Sequence, residues 1–174
     1  MYQEAPGKKK MVAAAIELLI CSLFFAIFLG GGSASAIVDS VKSVGGKVLI
    51  VAIPILAIVI GIPVFMVVAS IFGLTRAKRP EKCKSCQTLG VVMILAGVLF
   101  TGGILYAIIH VFGVDMAFRS SLLTILLVMM VLCPVQFYFG ARENWKYAEE
   151  ERQEMEDRAA REAAGLPPRR FPFN

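Results

Sequence analysis

Four long stretches of this chain carry almost no charge, and they dictate nearly everything else. Met11–Leu29 holds a single charged side chain, Glu17. No residue is charged from Val48 to Thr75, from Ser85 to Val114 or from Ser120 to Ala141. A hydrocarbon core of ~30 Å is crossed by about 20 helical residues. Unpaired backbone groups find no water there, so a span of this kind has to be helical. The reading is an all-α, polytopic integral membrane protein. Residues 11–140 form a four-transmembrane-helix bundle, with spans at about 11–30, 48–74, 88–112 and 121–140.

Composition agrees. Apolar residues make up 57% of the chain, charged residues 18%, and mean hydropathy is +0.73. That excludes a disordered chain, a collagen, a disulfide scaffold and a nucleic-acid module. The net charge of +5 comes from cations flanking the apolar runs. It speaks to orientation in a bilayer rather than to nucleic acid. The expected partners are the lipid bilayer and other membrane-protein subunits.

Fifteen of the 18 lysines and arginines fall in three places: the basic segment 1–10 with Lys8–Lys10, the loop around Arg76–Lys84, and the tail beyond Ala141. Four spans bring all three to one side. The positive-inside rule makes that side the cytoplasm, or the matrix or stroma of an organellar inner membrane. Lys8–Lys10 ahead of an apolar run, with Ala34-Ser35-Ala36 beyond it, has the outline of a signal peptide. The run is longer than the usual apolar core of ~7–15 residues, so the first helix is expected to stay.

Pro54 and Pro63 in the second span and Pro134 in the fourth each remove a helical hydrogen bond, and kinks are expected there. The 30–47 connector is Gly- and Ser-rich towards its ends. Ile37, Val41 and Val44 lie at helical spacing inside it. It reads either as a short interfacial helix or as a flexible linker. The charged segment 141–164 lacks Pro and Gly and contains the i,i+4 pairs Glu154–Arg158 and Asp157–Arg161. A thin stripe of Ala148, Met155, Ala159, Ala163 and Leu166 runs along it. It is expected to continue the fourth helix out of the membrane, with Tyr138, Trp145 and Tyr147 as interface anchors. Gly165 is the expected stop, and Pro167-Pro168 keep 165–174 extended.

Candidate sites are few. Glu17 is the only acid within a span, ~9 Å from the basic end. At matching depth lie Ser70 and Gln136, so a polar layer of Glu17, Ser70 and Gln136 is expected. It would be either a proton or cation site or a neutral packing contact. His110 lies near the opposite end, where it could line a mouth with Asp115 and Arg119 or sit in the interface. Cys83-Lys84-Ser85-Cys86 is half of a four-cysteine zinc site. Ligands from a partner chain or a second copy would have to complete it. Lipidation, thiol redox chemistry and no special chemistry are the other readings. Cys21 and Cys133 read as small buried apolar residues. Small residues four apart, among them Ala26/Gly30, Ala57/Gly61, Ala69/Gly73 and Gly103/Ala107, permit close helix contacts.

Phosphate-binding loops, dinucleotide fingerprints, zincin motifs and nucleophile elbows are absent from the sequence. The layout superficially resembles tetraspanins and claudins but lacks their large cysteine-bearing outer loop. Four-helix thiol oxidoreductases also carry Cys-x-x-Cys, on the oxidising side, whereas here it falls on the basic side. The leading expectation is a non-enzymatic accessory subunit of a larger membrane complex, with no cofactor unless zinc binds at Cys83 and Cys86. The alternatives are a small oligomeric transporter or channel using Glu17 and the second helix, and a membrane thiol or zinc protein.

Overall fold

A computed structural model describes residues 6–44, 48–112 and 121–165, with side chains placed over 7–32, 57–109 and 122–165. The described chain is helical without a strand. Helix α1 runs Pro6–Val44, α2 Val48–Arg76, α3 Cys83–Phe112 and α4 Ser121–Ala163, with a short 3₁₀ turn, Pro80–Lys82, leading into α3. All four helices are long and apolar enough to cross a membrane.

Local chemistry explains several boundaries. Pro6 opens α1, where its missing N–H costs nothing. Ala77 closes the last turn of α2 through a bond to the Gly73 carbonyl at 2.9 Å. Arg79 is then extended (φ −127°, ψ 86°), as a residue before proline prefers. α4 ends where Gly165 turns left-handed at φ +66°, a conformation that glycine adopts without a Cβ penalty. This is the stop expected from sequence. Residues 166–174, including Leu166 and Pro167-Pro168, lie outside the described residues, as do 1–5, 45–47 and 113–120.

Two boundaries depart from expectation. Over residues 30–44 the connector is neither a separate short helix nor a linker, because α1 continues unbroken through Gly30–Gly32 to Val44. A helical glycine costs only about 1 kcal/mol relative to alanine. No proline follows before Val44 to stop propagation. α3 likewise starts at Cys83 rather than near residue 88. The proline-led 3₁₀ turn nucleates it, and nothing between Cys83 and Thr88 breaks a helix. Helical backbone is also continuous through Pro54, Pro63 and Pro134.

The helices form a ring in which α1 packs on α2 and α4, and α3 on α4, with a lighter α2–α3 contact. Buried positions repeat at helical spacing: Met11, Ala14, Ala15, Leu18 and Phe25 on α1, and Met93 and Phe100 on α3. On α4 the seam is Leu127, Met130, Pro134, Phe137 and Ala141, close to a heptad. Phe25 and Phe100 meet edge-on across the middle, 5.2 Å between centroids. Glycines set the closest approaches: a Cβ on Gly97 would strike the Met130 carbonyl, and one on Gly140 would meet the α1 backbone at Met11 and Gly7. The outward faces are apolar on every helix, with Ile27 73% and Leu99 71% exposed. A water-facing surface rarely shows such a band, and lipid is its natural solvent.

Candidate functional site

Sequence-specific polar chemistry gathers at the basic end of the bundle, where α1 and α3 begin and α2 ends against the middle of α4. The 3₁₀ turn delivers Cys83 as the first residue of α3, and Cys86 follows on the same face. Both side chains are fully buried and unbridged. Cys83 Sγ approaches the carbonyls of Arg79 at 3.7 Å and Arg76 at 3.9 Å. The Cys86 thiol and the Asn144 side chain lie beside it. Asn144 Nδ2 lies 3.8 Å from Met11 Sδ. Asn144 is itself fully buried, and its Oδ1 has no partner. Met11, Cys83, Cys86 and Asn144 thus form a sulfur–amide cluster that joins α1, α3 and α4.

Two thiols are too few to hold zinc. Among the described residues no group of three His, Cys, Asp or Glu side chains comes together. Both thiols are covered by their own chain, so ligands from a partner reach them only if this end of the bundle opens. Covered thiols are also slow to react.

The three residues expected to share a polar layer are placed differently from one another. Glu17 is half-buried on α1, with Cys133 Sγ of α4 3.7 Å from its carboxylate. Ser70 is buried, but its hydroxyl donates back to the Met66 carbonyl of its own helix at 2.7 Å. Gln136 is exposed. No hydrogen bond among the described residues links the three. The α4 seam turns Cys133 inward and Gln136 outward. The neighbour sequence reasoning missed, Cys133, was detectable in principle: it stands three residues from Met130 and four from Phe137, on the apolar seam.

Other polar groups within the helices are used structurally. Ser22 is buried and donates to the Leu18 carbonyl at 2.6 Å. Thr101 of α3 donates to the Leu127 carbonyl of α4 at 3.1 Å, tying two helices together. The anchors Tyr138, Trp145 and Tyr147 are half-buried. Tyr138 covers Gly90, and Lys84 Nζ lies 5.8 Å from the Trp145 ring centroid. The His110 side chain, Asp115 and Arg119 lie outside the described residues. Comparison with protein-family models, curated proteins and solved structures returns no match.

Proposed function

We propose that this chain is a non-catalytic accessory subunit of a larger membrane complex, packing through its transmembrane helices and docking through its C-terminal tail. The observation that carries this reading is the length of α4. Beyond the bundle the helix continues through fifteen residues, Glu149 to Ala163, in which only Glu154 and Arg161 are even half-covered. Met155 stands 58% exposed there. The segment is supported by its own ion pairs, Arg152–Glu156 at 3.2 Å and Glu154–Arg158 at 3.9 Å. Isolated helices of this length are marginal in water, so a surface to lie on would give it a purpose.

Two further observations support the reading. Gly30, Gly31, Gly61, Gly102 and Gly103 have open space where a side chain would stand, so flat surface remains for neighbouring helices. Ser22, Ser70 and Thr101 spend their hydroxyls on helix carbonyls, which leaves little polar lining for a transport path. Under this reading the positive-inside rule favours both termini on the cytoplasmic, matrix or stromal side.

The test is purification in a mild detergent of the full chain and of a chain ending after Lys146. A defined, stoichiometric hetero-assembly with the full chain, lost on truncation, is the expected result. A lone homo-oligomer in both cases overturns it. The transporter reading then takes its place if solute flux through that oligomer is abolished by Glu17→Gln.

A further inference from the structure

A groove of about 440 Å³ opens beside the start of α3, lined by Arg76, Glu81, Lys82, Lys84, Ser85, Thr88 and Trp145. Three cations face one carboxylate, yet none of the three makes an ion pair with it. Arg76 is held in place twice. Its guanidinium stacks over the Phe72 ring at 4.2 Å, and its Nη1 donates to Ser85 Oγ at 2.7 Å. Ser85 in turn donates to the Lys82 carbonyl at 2.9 Å. A guanidinium has five N–H donors in a fixed fork, so this anchoring leaves others for a ligand. The N-terminus of a 30-residue helix adds partial positive charge at the same place.

The same face of α3 then changes character. Lys84, Ser85 and Thr88 are followed at helical spacing by Val91, Val92, Leu95 and Leu99, all exposed, from 45% at Val91 to 71% at Leu99. One stripe is therefore cationic and hydroxylated for its first turns and apolar for the next three. A free anion would use only the first part. A phospholipid matches both. We propose that this groove holds the phosphate of an anionic phospholipid headgroup, with the acyl chains lying along Val91, Val92, Leu95 and Leu99. Trp145, amphipathic and half-buried, closes the groove at headgroup level.

Trp145 is the only tryptophan in the chain, and it lines this groove, so its fluorescence responds to what binds there. The purified full chain in neutral detergent is titrated with short-chain phosphatidylglycerol, phosphatidylcholine of the same chain length, and inorganic phosphate. A saturable change is expected with phosphatidylglycerol only. The double variant Lys82→Gln/Lys84→Gln, at two exposed positions, shifts the midpoint upward by about fivefold to tenfold. Lys146→Gln, an exposed lysine outside the groove, leaves it unchanged. Equal binding of phosphatidylcholine overturns the proposal, as does an equal shift with Lys146→Gln. Saturation by inorganic phosphate at the same concentration makes this a soluble-anion site and refutes the lipid assignment. Absence of any saturable response to phosphatidylglycerol refutes the site itself.

Discussion

Replacing Gly140 by alanine probes a crossing where backbone meets backbone. A Cβ at this position would stand 2.8 Å from the Met11 nitrogen, 3.0 Å from the Gly7 carbonyl oxygen and 3.1 Å from the Met11 Cα. None of these atoms belongs to a side chain that could rotate away, so α1 has to shift bodily. That shift loosens Met11, Ala14 and Ala15, which are fully buried. Overpacking of this kind costs about 1–3 kcal/mol, and the rigid neighbours place it at the upper end. Alanine recovers about 1 kcal/mol of helix propensity, so the net loss is about 2 kcal/mol. Gly102→Ala is the matched control, because nothing lies within 4 Å of its Cβ position. It retains only the propensity gain and is neutral or stabilising by up to ~1 kcal/mol. Reversible unfolding of both variants in detergent, beside the parent, measures the difference. The reasoning fails if Gly140→Ala is as stable as the parent, or if Gly102→Ala is the more damaged.

Two further outcomes follow from the same packing. The four cysteines are buried and unbridged, so a maleimide is expected to label the folded chain about tenfold or more slowly than the denatured one; rapid labelling of two thiols before unfolding would show that the basic end opens. The Lys10–Glu143 pair is short at 2.7 Å, but its side chains are 55% and 39% exposed. Lys10→Ala is therefore expected to cost about 0.5 kcal/mol or less, and less still at high salt; a loss above ~1 kcal/mol in unfolding experiments contradicts that view.

Much of the architecture was legible because lipid simplifies the problem. Uninterrupted apolar runs have one solution, and four of them gave four spanning helices. Breaker residues were a poorer guide. Gly30–Gly32 read as an ending but sit within α1, since helix propagation outweighs a few unfavourable residues when no proline follows. Gly165 read correctly because Pro167-Pro168 follow it in the sequence and oppose further helix. Depth along each helix could be counted from the sequence, whereas rotation about the axis shows only where an apolar seam marks it. That is why Glu17, Ser70 and Gln136, counted to one depth, do not converge. The nearness of Cys83 and Cys86 was visible in their spacing. Their enclosure by Asn144 and Met11 was not, because it depends on α1 and α4 meeting 133 residues apart in the chain.

The unbroken course of α4 has a mechanical consequence. Between Gly140 and Ala163 there is neither glycine nor proline, and at 1.5 Å per residue this makes a rod of about 35 Å. Its inner end is wedged against Gly7 and Met11 with no slack between the backbones. A load applied near Met155 is therefore not absorbed by a swivel. It arrives as leverage on the α1–α4 crossing, and whatever grasps the outer end takes hold of the whole bundle.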